Sequence, residues 1–485
     1  MKRTMSAKFF AAAGLVLSLG SFLSSNAVAM TLDWSGNYRA EYFQMDSTSL
    51  SSPKQGKSYL LHHLSLSPKI VASDGVNVVS RFNIFSTRRA AYANSQVGDE
   101  WGGGVDDGTA TTGTEDSNTF SQNQNSSGIQ VSELYLKVDQ EYGSLLVGRV
   151  PMQFGLGMTH NAGRGEFDHW YDSRDAVGYK FVVGNLYFMP MLARTFSGTP
   201  GDGRTITDQI FNLLYENVET GSTLGIWWET RKASAAANDS PLVIDGVTYT
   251  PSGGFNSQNI NLLLGREWGS FDFKIEAGFL TGDVGTKTST GEGLELNSYG
   301  FVTQMNYQPD ASKTKWSLNA GMASGDNPET DEVLEGYFFD RNYDVAFLLF
   351  NHRMGGGDFF RTSMTRNNKA PVDAKNAYDD ESVSNVTFLA PRITWAYSDK
   401  LDIQNTLTYA QLVQDPFVDA GGKKTGTAKD LGFEWDLEFI YKPRETVKWV
   451  TQFGVLSPGS AFEGGNRDYD KKSTFGFATK AAISF

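Results

Sequence analysis

LGFEWDLEFIYKPRE, residues 431–445, alternates with a period of two. Leu431, Phe433, Trp435, Leu437, Phe439 and Tyr441 fall on one side, and Glu434, Asp436 and Glu438 on the other. A helix would scatter these residues around its axis, whereas a strand separates them cleanly. Pro443, Arg444 and Glu445 then supply turn chemistry. A soluble sandwich would aim the apolar face at its core, a membrane barrel at lipid. A single strand fits both.

The spacing of the remaining segments separates the two folds. About eighteen such segments of roughly 9 to 16 residues follow one another, long enough for tilted strands to cross a bilayer. Short connections alternate with long ones throughout. The short ones are Ser73-Asp74-Gly75, Glu141-Tyr142-Gly143, Gly184-Asn185, 219–222, Trp268-Gly269-Ser270, 309–312, Ser398-Asp399-Lys400 and 443–445. The long ones fall near 47–56, 92–127, 153–175, 195–204, 233–256, 283–292, 326–383, 415–428 and 458–472. A sandwich has no reason to keep its long loops at one end. The expected fold is all-β: a transmembrane antiparallel β-barrel of about 18 strands, with short periplasmic turns and long extracellular loops.

The two ends of the chain agree with this. Residues 477–485, FATKAAISF, belong to a strand that ends on Phe485. Pairing of this last strand with the first closes the sheet, which lipid demands because no backbone group there can bond to water. A terminal Phe of this kind resembles the signal that the barrel-assembly machinery reads in bacterial outer-membrane proteins. At the other end, Lys2, Arg3 and Lys8 precede an apolar run from Phe9 to Leu23 and an Ala27-Val28-Ala29 cleavage site. Residues 1–29 therefore read as a secretory signal peptide. Its three basic and no acidic residues take the net charge from −13 to −16 on removal. The first strand starts near residue 31, so 30–485 is expected to be a single barrel domain without a plug. An acidic chain is a poor partner for nucleic acid. With no cysteine there is no disulfide framework.

Charges on the lipid face at mid-bilayer cost about 2–4 kcal/mol for Arg or Lys, so the barrel keeps them inside. The candidate pore-lining residues are Arg39, Arg81, Lys137, Lys180, Arg231, Lys274, Arg392, Glu434, Asp436, Glu438, Lys448 and Lys480. Residues 154–180, FGLGMTHNAGRGEFDHWYDSRDAVGYK, combine glycines that permit folding back with a dense aromatic and charged cluster. Arg164, Asp168, Trp170, Asp172 and Arg174 are candidates for a constriction loop; the alternative is a loop braced on the rim. The segment GYFFDRNYDVAFLLFNHRMGG, 336–356, is too apolar for a bare loop and is expected to pack at the barrel mouth or to enter it.

Enzyme and metal chemistry find little support. The five histidines form no HExxH or similar spacing, and His62 and His63 point to opposite faces of a strand. GDEWGGGVDDG, 98–108, offers oxygen ligands for calcium but lacks the EF-hand spacing. No G-x-S-x-G surrounds a plausible nucleophile. No cofactor and no metal are expected. The expected function is a passive outer-membrane channel for small polar or charged solutes, saccharides among them. The rival reading is an adhesin or surface enzyme working through long loops over a plugged lumen.

Gly148-Arg149, the Asn-, Asp- and Trp-rich loop with Phe167-Asp168, and the segment Ala323 to Asp326 resemble the alginate-export family of outer-membrane porins. The resemblance implies an electropositive lumen that passes polyanionic or other polar solutes. The acids Glu434, Asp436 and Glu438 depart from that pattern, and general porin activity is the expectation they leave.

Overall fold

The structure is a computed structural model that describes residues 31–485, apart from 51–53, 55, 87–95, 102–128, 198–204, 235–241, 245–246, 252–253, 288–290, 328–329, 331, 356–380, 415–427 and 463–471. The expected leader and most of the 98–108 segment lie outside the described residues.

Eighteen strands form the wall. They are β1 (Thr31–Asp33 continued by Gly36–Met45), β2 (Lys57–Leu66 continued by Lys69–Ser73), β3 (Val76–Ile84), β4 (Ile129–Gln140), β5 (Gly143–Pro151), β6 (Ser173–Val183), β7 (Leu186–Ser197), β8 (Thr205–Asn217) and β9 (Ser222–Ala233). They continue with β10 (Asn256–Trp268), β11 (Phe271–Lys287), β12 (Gly293–Tyr307), β13 (Thr314–Ala323), β14 (Val386–Ser398), β15 (Leu401–Leu412), β16 (Asp430–Arg444), β17 (Val447–Pro458) and β18 (Thr474–Ser484). Each pairs antiparallel with its neighbours in sequence, and β18 pairs with β1 from Asn37↔Ser484 to Met45↔Gly476. Gly36 and Phe485 exchange backbone hydrogen bonds of 2.8 and 3.0 Å, which complete the seam. The sheet has no edge to present to lipid or to another chain.

The period-two pattern sorts the two faces. Outward positions carry exposed apolar side chains such as Leu262, Phe301, Leu407 and Trp435. Trp268, Tyr307, Trp316, Tyr397, Tyr441 and Trp449 stand beside the short turns, an aromatic band at that interface. His62 points outward and stacks on Phe85, while His63 points inward and is buried against Asn83. The inner face holds charged and small residues. Long connections enter the lumen from the end opposite the short turns, and two of them fill much of it.

Candidate functional site

The first inward connection runs from β5 to β6, residues 152–172. Gly163 reverses its direction with φ +65°, and a Cβ there would lie 2.0 Å from the Trp170 carbonyl oxygen, so no other residue fits. From that bend the segment crosses the barrel and is pinned on several strands. The Leu156 N–H donates to Glu276 on β11 at 2.6 Å. His160 lies between Asp172, at 3.1 Å, and Glu229 on β9, at 3.3 Å. Arg164 makes a two-pronged pair with Glu133 on β4, at 3.0 and 2.7 Å. Arg39 on β1 donates to the carbonyls of Glu166 and Asp168, at 3.3 and 2.6 Å, and His169 meets Glu41 at 2.9 Å. At the far side Glu166 pairs with Lys448 on β17 at 2.9 Å. The Phe167 ring sits below the ammonium groups of Lys448 and Lys480, at 5.6 and 5.9 Å. The loop therefore spans the lumen, and its tip is 164–168.

The second inward connection follows β13. Its stretch 337–350 forms the centre of the larger of two buried apolar clusters among the described residues, with Tyr337, Phe339, Phe347, Leu348 and Phe350 all buried. An inward glycine makes room for it: a Cβ on Gly278 would lie 1.9 Å from the Tyr337 hydroxyl. Glu434 anchors the other end. Its carboxylate accepts the Leu348 and Leu349 N–H groups at 2.5 and 2.8 Å, and Asp436 accepts from Phe347 at 3.3 Å. The two inward segments also hold each other. Asn342 Oδ1 accepts from the N–H groups of His169 and Trp170, and its Nδ2 donates to the Trp170 carbonyl at 2.7 Å.

All twelve charged wall residues named from the sequence lie on the inner face of their strands, but their surroundings differ. Lys137 and Lys274 are near the short turns, Lys137 beside Asp139 at 2.9 Å. Lys180 lies over the Tyr187 ring at 4.0 Å. Arg231 joins Asp208 and Glu229 at 2.8 and 3.1 Å. Arg39 is fully buried against Glu41. Arg81 borders a cavity with Arg164 and Glu166 on the turn side of the tip. Arg392, Glu438, Lys448 and Lys480 border another, beside Phe167 and lined also by Ile440 and Val450 near the 442–446 turn. Glu434 is a correction to the sequence reading: it faces inward, yet the 345–350 segment covers it from solvent, while Asp436, almost as buried, borders the cavity of Glu438 and Lys448.

The loop candidates also divide. Arg164 and Asp168 border cavities. Trp170 is buried beneath the Arg341 guanidinium, 4.5 Å from its ring centre. Asp172 and Arg174 correct the constriction assignment, because they pair with each other in a cluster with His160 and Asp208 against the wall. Arg174 belongs to β6 itself. Sequence reasoning passed over Glu166, Glu133, Asp208, Asn342 and Asp344. Asp208 carried a readable signal, since it alternates inward with Ile210 and Asn212 along β8. Asp344 borders three cavities, and nothing in its local sequence marks it.

Electrostatics in the loops follow from this packing. Burial pushes the Asp172 carboxyl up, but Arg174 and His160 outweigh it and bring it down to about 2. Burial raises Asp168 against the opposing Gly165 N–H. Burial also pushes Asp340 up to about 7; the Asn342 N–H opposes this and the carboxylates of Asp172 and Asp168 add to it. Because the folded value lies above the ordinary one, the proton on Asp340 stabilises the docked loops. That contribution is complete below the usual carboxylate range and disappears as pH rises through about 7. Limited proteolysis of the folded barrel between about pH 4 and about pH 8 should therefore show faster cleavage in 336–355 at the higher pH. Asp340→Asn should flatten the profile. An unchanged profile in that variant would assign the effect to another group.

No family model matches the sequence, and no curated protein matches it. Solved structures do. OccK9 (OpdG) of Pseudomonas aeruginosa superposes with a TM-score of 0.51 at 10% identity, covering 94% of this chain and 98% of that one. OccAB3 of Acinetobacter baumannii gives 0.50 at 9% identity, covering 94% and 99%. A BenF-like porin from Pseudomonas fluorescens Pf-5 gives 0.48 at 11% identity, covering 94% and 98%. The resemblance to the alginate-export family gains no support from these comparisons. The chain has the closed eighteen-stranded fold of outer-membrane porins.

Proposed function

We propose that this chain is an outer-membrane channel through which small polar solutes, saccharides and small charged molecules among them, diffuse passively. The observation that carries the reading is the 164–168 tip. It meets the far wall through the Glu166–Lys448 ion pair, with one charged cavity beside Glu166 and another beside Phe167. Selectivity arises where the solute passes this pair, because charges act most strongly where little water screens them. Phe167 offers a flat apolar face and Lys448, Lys480 and Arg392 offer cations. Glu438 and Asp344 balance them, so the lumen suits polar solutes of either sign. Planar-bilayer recording of the folded protein tests the reading. Discrete single-channel steps are expected, and a folded barrel that never conducts would overturn it.

The same reading includes a cleaved leader, residues 1–29, ahead of one barrel domain in outer-membrane lipid, with Phe485 as the assembly signal. Deletion of Phe485 should slow insertion and lower the heat-modifiable folded fraction several-fold, because it removes both the signal and the seam contact with Gly36. Wild-type amounts of folded barrel at equal expression would show that the residue carries no signal.

The natural absence of cysteine permits a clean accessibility test. Single cysteines at Lys448 and Lys480 should react with a water-soluble thiol reagent, and cysteines at Trp435 and Phe453 should be spared by lipid. A cysteine at Glu434 should stay unreactive despite facing inward, because 345–350 covers it. Labelling of the Trp435 and Phe453 positions alone would mean that the register is shifted by one residue.

A further inference from the structure

The outer face of β5 to β9 ends in charge rather than in apolar residues. Counting from the short turns, the outward stripe of β7 runs Leu186, Phe188, Pro190, Leu192 and then Arg194. The stripe of β9 runs Leu224, Ile226, Trp228, Thr230 and then Lys232. β5 and β6 end in Arg149 and Asp175 in the same way, above Val147 and Val177. The ladder lines these residues up. Arg149 pairs with Asp175, Asp175 with Arg194, Arg194 with Thr207, and Thr207 with Lys232. Three cations thus stand on alternate strands, about 10 Å apart.

Asp175 accepts from two nitrogens of Arg149, at 2.8 and 3.1 Å, and the third donates to the Val131 carbonyl at 3.1 Å. Arg194 and Lys232 are exposed and have no ion-pair partner among the described residues. The row carries three basic groups and one acid. The corresponding outward positions on β11 and β12 carry the opposite sign, with Asp283 beside Glu295 in register. The basic row is therefore one-sided and is not a general property of the rim.

Its height decides its partner. The short turns mark the periplasmic end, so the top of the apolar stripes meets the headgroups of the outer leaflet. The exposed Arg194 guanidinium there matches phosphate oxygens in a two-pronged geometry. We propose that Arg149, Arg194 and Lys232 form a docking site for the phosphate groups of an outer-leaflet lipid whose headgroup carries two phosphates. The row is long enough to engage both, and apolar Val147, Val177 and Leu192 directly below receive the acyl chains.

Native mass spectrometry of the folded barrel in neutral detergent, incubated with diphosphoryl lipid A or with its dephosphorylated form, tests this. The wild-type barrel should retain the diphosphoryl lipid and not the dephosphorylated one. Arg194→Gln with Lys232→Gln should weaken retention on the order of tenfold or more, from the loss of two charges at an anionic surface. Asp283→Asn with Glu295→Gln, two and three strands beyond Lys232 along the same ladder, should not weaken it. Equal retention of both lipids by the wild-type barrel, or equal retention by the wild-type and the Arg194/Lys232 variant, would overturn the proposal. Heat-modifiable migration confirms that each variant is folded, and the lipid comparison on wild-type barrel decides the question if a variant is not.

Discussion

Replacing Glu166 and Phe167 by glycine is expected to raise single-channel conductance roughly twofold or more and to weaken ion selectivity. The two residues form the part of the 152–172 loop that reaches the far wall. Glu166 ties to Lys448, and Phe167 fills the space beneath Lys448 and Lys480. Their removal deletes one ring and one carboxylate from the narrowest contact. The loop itself should stay in place, because its anchors lie elsewhere: Arg164 on Glu133, His169 on Glu41, and Leu156 on Glu276. Freed from Glu166, Lys448 should shift selectivity toward anions. Lys448→Ala should widen the passage too, but shift selectivity the other way. A double-glycine variant that keeps its heat-modifiable migration and shows wild-type conductance would mean that solute does not pass this tip.

Glu434→Ala should be the most destabilising single change in the wall. The carboxylate is fully buried, and the N–H groups of Leu348 and Leu349 donate to it. Truncation leaves two buried donors unpaired, at about 1–3 kcal/mol each, and opens a cavity besides. A loss of roughly 3–5 kcal/mol in denaturant unfolding is expected. Glu434→Gln keeps one acceptor oxygen and should lose less. Because the cost falls on the docking of 345–350, protease sensitivity in that segment should rise before the barrel itself unfolds. Equal stability of the alanine variant would show that the segment does not depend on this anchor.

The barrel was legible in the sequence because lipid enforces the pattern. A strand such as 431–441 cannot place Glu434 outward without a cost of several kcal/mol, so alternation alone assigns its faces. Connection length separates the two rims for a similar reason, since tight turns draw on few residue types, Gly75 and Gly184 at positive φ and Pro, Asp or Ser in the turns without glycine. What covers an inner residue was not legible. Glu434 and Lys448 look alike in sequence, each charged among apolar neighbours. One is capped by backbone N–H groups 86 and 85 residues away, and the other stands beside a cavity. No local pattern encodes where the loops land. Arg174 failed for a different reason: 154–180 reads as one loop, yet its last third is β6, and a residue in the wall has a different partner set from one at the tip.

The 164–169 segment touches β1 through Arg39 and Glu41 on one side, and β17 through Lys448 on the other, with Lys480 of β18 above it. It therefore straddles the junction between the first and last strands. Those strands lie more than four hundred residues apart along the chain, so their pairing carries the largest loop-closure cost in the sheet. The contacts to Lys448 and Lys480 need the last two strands in place, whereas those to Arg39, Glu41 and Glu133 need only the first four. The segment thus bridges the two sides of the seam and acts as an internal latch on it, so an open seam would lose this brace as well as its own hydrogen bonds.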